Sequence, residues 1–250
     1  MKNVQAYMQR IKLDATDSTN AYLKKLLLSE KLEDFTIVTA NEQLNGRGQM
    51  GTQWESEAGK NLTFSVLKYF KNYRIHEQFL LNIIASLAVY HTLKKLFIPN
   101  LRVKWPNDIL SGNFKICGIL IENNLKNDLI QSSIIGFGLN VNQLEFGNLK
   151  KASSIKKIKG KTFNLDEVLT SLVLNLEILF NEFESGKVSD IRKQYEMLLF
   201  RIDKPSTFKD RDSKLFTGYI RGISAEGNLV IELEDSILKE YAFKELELLH

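Results

Sequence analysis

The chain has 250 residues, 44% of them hydrophobic, with 34 Lys plus Arg against 30 Asp plus Glu, a net charge of +4. That length allows a large core with a small appendage and needs no covalent staples, while so slight a surplus of positive charge argues against a nucleic-acid partner, which requires a clustered basic surface. One Cys and three His exclude a disulfide framework and the usual Cys/His zinc site; no apolar run approaches the ~18 residues of a membrane span, and Met1 to Tyr7 lacks a signal-peptide core, so a cytoplasmic protein without membrane contact is expected.

Arg10 to Leu13 alternates like a short strand. Asp14 to Asn20 is dense in helix-capping residues, and Ala21 to Leu28 reads as the helix that follows. Thr36 to Ala40 is a β-branched strand. Asn41 to Lys60 holds Gly46, Gly48, Gly51 and Gly59 among polar residues and predicts a long mobile loop, a type that is functional more often than not. Leu62 to Leu67 is a strand, Phe79 to Phe97 a core-facing helix, and Leu101 to Trp105 a strand closed by Pro106. Lys115 to Glu122 and Ile130 to Phe137 predict a strand pair around a polar turn. Leu165 to Phe183 and Val188 to Phe200 follow the helical period. After Arg201 only short strands remain, at Phe208, Leu215 to Ile223, Leu229 to Leu233 and Tyr241 to Leu249, with a turn at Ala225 to Asn228. The expected division is residues 1–200 and 201–250, the second a small β-barrel.

Four segments set polar residues and glycines at strand ends. Ser18, Thr19 and Asn20 are most simply a helix cap, but a cap needs one hydroxyl and this stretch has donors and acceptors to spare. Gln43 with Gly46-Arg47-Gly48-Gln49 and Trp54 offers backbone N–H groups and a guanidinium to an anion; its glycine spacing fits neither a dinucleotide fingerprint nor a Walker loop. Lys104-Trp105-Pro106-Asn107-Asp108 reads either as a plain turn or as a site at a strand end, where Asp108 could hold a metal ion or orient a base. Lys115 opens an apolar strand, and Gly118, Gly136 and Gly138 inside strands cost stability unless something approaches the backbone closely.

In this order the motifs resemble those of the biotin–protein ligase family over nearly the whole chain. Asp17-Ser18-Thr19-Asn20, Gly46-Arg47-Gly48, Lys104-Trp105-Pro106-Asn107-Asp108, Lys115 with Gly118 to Glu122, and Gly136-Phe137-Gly138-Leu139-Asn140 carry the likeness, and Ala152 to Ile155 looks like the family's adenylate-covering loop. The resemblance implies an α+β fold: a mixed β-sheet packed by helices, then a C-terminal SH3-like barrel. It implies an ATP-dependent, AMP-forming ligase that activates biotin with Mg²⁺ and ATP as biotinyl-5′-adenylate, then passes it to a lysine of a biotin carboxyl carrier domain. The form without an N-terminal DNA-binding domain is expected, and a homodimer is compatible with it. Carried over residue by residue, Ser18, Thr19, Asn20, Gln43, Arg47, Gly48, Gln49, Lys115 and Gly118 bind biotin. Lys115 and Arg47 are the catalytic pair, and Trp54, Lys104, Asn107, Asp108 and Asn140 line the nucleotide. No residue is assigned as a metal ligand. The chain departs from the family where Gln49, Met50 and Thr52 replace further arginines. A lipoate or octanoate ligase on the same fold and a non-catalytic binding module are the alternatives.

Overall fold

Strand β1 (Arg10–Thr16) runs into helix α1 (Thr19–Ser29) and pairs in parallel with β2 (Ile37–Gln43). β3 (Leu62–Arg74), α2 (Phe79–Lys95), β4 (Leu101–Lys104), β5 (Asp108–Ser111), β6 (Phe114–Lys126) and β7 (Leu129–Leu139) follow. Then come α3 (Ile155–Lys159), α4 (Leu165–Glu184), α5 (Val188–Met197) and five short strands: β8 (Pro205–Asp210), β9 (Leu215–Ile223), β10 (Leu229–Glu232), β11 (Leu238–Tyr241) and β12 (Leu246–Leu249). The computed structural model describes residues 9–249; the Met1 to Tyr7 stretch read above lies outside them. No helix among these residues is long and apolar enough to cross a membrane.

β1 to β7 form one mixed sheet in the order β1-β2-β3-β7-β6-β5-β4, in which only β1 and β2 are parallel. α2 lies on one face and is buried on nearly every side from Phe79 to Leu93, as a helix apolar all round must be. α4 and α5 cover it and complete the main core. α1 packs on the opposite face over a smaller cluster of Leu23, Leu32, Val38, Leu67 and Ile134.

Several elements depart from the sequence expectation. β1 extends past Leu13 because Ala15 and Thr16 pair with Glu42 and Gln43, a contact that alternation cannot show. The segment from Asn41 is not all loop, since β2 continues to Gln43 and Gln49–Gly51 form a 3₁₀ turn. β5, four residues long, and α3, five, are too short to show a period; Ser154, which caps α3 by accepting from Lys157 N, and Gly160 at φ = 71° mark α3 locally. The Tyr241 to Leu249 run divides into β11 and β12, which pair with β10 and β8 respectively. The expected barrel is a five-stranded antiparallel sheet, β11-β10-β9-β8-β12, whose edge strands do not pair among the described residues.

This small sheet shares the main core through Phe208, Ile220, Leu229, Ile231 and Tyr241. Trp105 Nε1 donates to Gly227 O at 2.9 Å, and the Trp105 and Phe243 rings stand 6.0 Å apart. From α5, Arg192 donates to Ser224 O at 3.0 Å, and Glu196 Oε1 accepts from Ile223 N. Gly227, at φ = 91°, lies so close to Phe79 that an added Cβ would stand 2.0 Å from the ring. Gly186, at φ = 87°, has open space instead. Gly186→Ala is therefore expected to cost only about 1 kcal/mol of left-handed strain. Gly227→Ala adds a clash and should cost about 3 kcal/mol or more. Urea unfolding of the two variants checks this, and equal costs would remove the claimed contact.

Candidate active site

The site is built on the α1 face of the sheet. Register aligns Ala40, Thr63, Gly138, Gly118, Asp108 and Lys104 in one row across six strands, with Ser65, Gly136 and Leu120 in the next row. The centre of both rows is nearly free of side chains. A Cβ on Gly138 would stand 2.3 Å from Trp54 Cε2, and one on Gly136 would stand 2.3 Å from Asn20 Oδ1. The glycines let the indole and the start of α1 rest on the sheet itself. Above them is a cavity of about 360 Å³, within the usual range of small-molecule sites.

At one end of the cavity stands α1. Ser18 precedes the helix, but its side chain makes no cap bond. The Gln43 carboxamide takes that role, since Oε1 accepts from Thr19 N at 2.8 Å. Thr19 Oγ1 lies 3.1 Å from the same oxygen, and Ser65 Oγ lies 2.7 Å from Thr19 Oγ1 and 2.6 Å from Asn20 Oδ1. Ser18, Thr19 and Asn20 are thus buried around a polar corner rather than spent on capping.

At the other end, Lys104-Trp105-Pro106-Asn107-Asp108 forms the connection from β4 to β5, with a cis Trp105–Pro106 bond. Its middle is tied down on three sides. Trp105 reaches Gly227, Pro106 O accepts from Tyr195 Oη at 3.1 Å, and Asn107 Nδ2 donates to Ile119 O. The ends of the motif face each other across the β4–β5 register. Asp108 Oδ1 pairs with Lys115 Nζ at 2.7 Å, and Lys115 Nζ stands 5.7 Å from the Trp54 ring centroid. Burial holds Lys104 below the ordinary lysine value of 10.5; Asp108 and, more weakly, Glu247 oppose that shift, while Lys151 and Lys115 add to it. Two lysines thus share one aspartate in a half-buried corner, with Arg47 exposed at the cavity edge. Such a corner favours an anion.

The 44–54 segment closes over the cavity through backbone bonds from Gly48 N to Thr52 O at 2.7 Å and from Trp54 N to Gly46 O at 2.9 Å. Trp54 Nε1 and Gln49 Oε1 are buried in the wall with no hydrogen-bond partner among the described residues. A donor and an acceptor left so, each at a cost of ~1–3 kcal/mol, are open to polar groups of a ligand in this cavity.

The structure brings together every expected site residue except Asn140. Asn140 does not line the cavity. It is buried at the end of β7, where its Nδ2 donates to Ser153 O at 3.0 Å and its carbonyl accepts from Ile155 N, so it ties the 152–155 segment to the sheet. That segment pairs in parallel with Lys115 through Ala152. Sequence reasoning missed Ser65, hidden in an apolar strand, and Phe243, Lys244 and Glu247, which the small sheet brings to the cavity from the far end of the chain. Among the described residues no three His, Cys, Asp or Glu side chains cluster to hold a metal, and Asp108, the carboxylate paired with Lys115 in the cavity, is already engaged. A protein-built Mg²⁺ cage does not fit these residues.

The class of the protein follows from comparison with known sequences. A sequence model of the biotin/lipoate A/B protein ligase family matches residues 13–140, just over half of the chain, and the chain belongs to that family. Its relatives include the bifunctional ligase/repressor BirA of Escherichia coli, 28% identical over 242 residues, covering 94% of this chain and 73% of that protein. A biotin–[acetyl-CoA-carboxylase] ligase of Paracoccus denitrificans is 36% identical over 131 residues, covering 52% of this chain and 53% of that protein. Among solved structures, the biotin protein ligase of Aquifex aeolicus in complex with biotin and ATP superposes with a TM-score of 0.79 at 27% identity, covering 96% of this chain and 98% of that one.

Two outcomes follow from this geometry. Gly138→Ala should lift Trp54 off the sheet and shift its fluorescence to the red in a Trp105→Phe background; an unchanged spectrum would contradict the packing. Lys104 carries a burial penalty while protonated, so its charge costs stability at neutral pH, and that cost fades as pH rises from its lowered value toward 10.5. Lys104→Met is therefore expected to raise the thermal midpoint at pH 7, by a margin that shrinks in alkaline buffer. A lower midpoint at pH 7 would show that Lys104 is net stabilising.

Proposed function

We propose that this chain activates biotin with ATP and transfers it to a lysine of a biotin carboxyl carrier domain. The observation that carries the reading is one cavity with a polar hydrogen-bonding corner at α1 and a cationic corner at β4–β6. The two lie about three strand spacings apart, roughly 14 Å. A small acid with a polar head and a flexible arm spans that distance, and its carboxylate then lies among Lys115, Lys104 and Arg47.

In the first half-reaction a carboxylate oxygen attacks the α-phosphorus of ATP. The bond to the bridging oxygen breaks, and pyrophosphate leaves with its electrons. Both reactants are anions, so the site has mainly to neutralise and align them. Lys115, held by Asp108, and Arg47 take the carboxylate and α-phosphate; Lys104, Trp54 and the Asn107–Asp108 turn form the nucleotide side. Mg²⁺ travels with the nucleotide phosphates, as it commonly does, and no protein step depends on it. In the second half-reaction the carrier lysine attacks the acyl carbon, AMP leaves and the amine loses a proton. The 44–54 segment, with Trp54 on the glycine floor, shields the labile adenylate from water. This reading carries a cytoplasmic location with it, where ATP and a carrier protein are both at hand. Residues 1–200 supply the chemistry in this reading, and residues 201–250 complete the wall.

ATP–pyrophosphate exchange with biotin, lipoate and octanoate in parallel tests the proposal. Exchange should be strong with biotin and, with octanoate, weaker by roughly 10⁴-fold, because a site built to pair polar groups rejects a ligand that lacks them. Lys115→Ala should slow biotin-dependent exchange at least about 30-fold, near the low end for losing one partner of a desolvated ion pair. Octanoate exchange equal to that with biotin would overturn the substrate, and full activity in a folded Lys115→Ala protein would overturn the role of Lys115.

A further inference from the structure

The α1 corner holds more close oxygen contacts than it has hydroxyl protons to fill them. Thr19 Oγ1 to Gln43 Oε1 is 3.1 Å, Ser65 Oγ to Thr19 Oγ1 is 2.7 Å and Ser65 Oγ to Asn20 Oδ1 is 2.6 Å. Both amides have a fixed orientation. Gln43 Oε1 takes the backbone N–H of Thr19. Asn20 Nδ2 faces two acceptors, Leu120 O at 3.3 Å and Glu122 Oε2 at 2.8 Å. Amide oxygens only accept, so these three contacts must share the two protons of Thr19 and Ser65. The two shortest contacts claim them. Ser65 donates to Asn20, and its oxygen then accepts from Thr19. The chain runs Thr19 to Ser65 to Asn20 to the Glu122 carboxylate, each donor polarised by the next group and by the charge at the end.

The consequence falls on the cavity. Thr19 Oγ1 and Gln43 Oε1 are left side by side with lone pairs and no proton between them, and both residues line the wall. Two facing acceptors repel unless a donor comes from outside.

We propose that Ser65 and Glu122, acting through Asn20, are positioning residues that fix the direction of this chain. They leave Thr19 Oγ1 and Gln43 Oε1 as a facing pair of acceptors and so favour acids whose head group carries an N–H donor, such as a cyclic urea or lactam. Heads that bring no donor leave that pair of acceptors unmet and bind less well. The inference rests on the reading of the cavity as an acid-activating site, and it adds two residues that do not themselves touch the ligand. Ser65 is fully buried and Glu122 half-buried, outside the cavity described above.

The test is calorimetric titration of the full chain with biotin and with a biotin methylated at its ureido nitrogens. Wild type should prefer biotin. In Ser65→Ala the Thr19 hydroxyl is released to donate to Gln43 and fills the corner itself, so the preference should fall about tenfold, the worth of one hydrogen bond. Glu122→Gln ends the chain on a neutral acceptor, and the preference should fall about threefold. A role in packing alone weakens both ligands alike and leaves their ratio unchanged; that result in either folded variant overturns the proposal. If Ser65→Ala does not fold, Glu122→Gln decides. Wild type that binds biotin and its methylated form equally also overturns the inference, whereas wild type that binds neither removes the proposed function beneath it.

Discussion

The absence of side chains at Gly118, Gly136 and Gly138 is the constraint on which the site depends. Glycine within a strand sacrifices roughly 0.5–1 kcal/mol relative to alanine, and here three are placed on the two neighbouring central strands β6 and β7. What they gain is close approach. Asn20 and Trp54 come to the sheet where a single methyl group would not fit, so the start of α1 and the 44–54 segment can both press on the same strip. Helix, covering segment and floor form one wall only because the floor is bare.

Charge supplies the second constraint. Lys104 and Lys115 share Asp108, and burial weakens the hold of Lys104 on its proton. Asp108 and Glu247 offset the burial of Lys104 only in part, since its proton is still held more weakly than in an ordinary lysine. Leaving the positive charge in excess destabilises the unliganded protein somewhat, and the arrival of an anion relieves it. Local rules are broken in the same place for the same reason: the unpartnered Trp54 Nε1 and Gln49 Oε1 lie in this wall as well.

Much of this was legible in the residues. Long elements with a clear period, such as Phe79–Lys95 and Leu165–Glu184, stand within a few residues of where the pattern puts them. The motif residues converge on one cavity because the strand ends, the bare central strands, the start of α1 and the 44–54 segment meet on the same face. What escaped is what depends on distant partners. β5 exists only as the link between β4 and β6. Ser65 looks like any polar residue in a strand until Thr19 and Asn20 arrive beside it. Asn140 carries a motif position yet its Nδ2 serves the neighbouring segment by donating to Ser153 O, while its Oδ1 has no partner among the described residues. The division of Tyr241 to Leu249 into two strands follows from which edges they complete, and no local pattern encodes that choice.

The far end of the chain contributes Phe243, Lys244 and Glu247 to the cavity, and Gly227 anchors the Trp105 ring. In sequence these residues all lie beyond the larger sheet and its helices. The seven-stranded sheet pairs without any strand from β8 onward, but the wall facing β4 and β5 stays open until those strands dock. With the small sheet undocked, the motif residues keep their places without the enclosure that organises them, so competence follows the docking of β8 to β12 rather than the folding of the larger sheet.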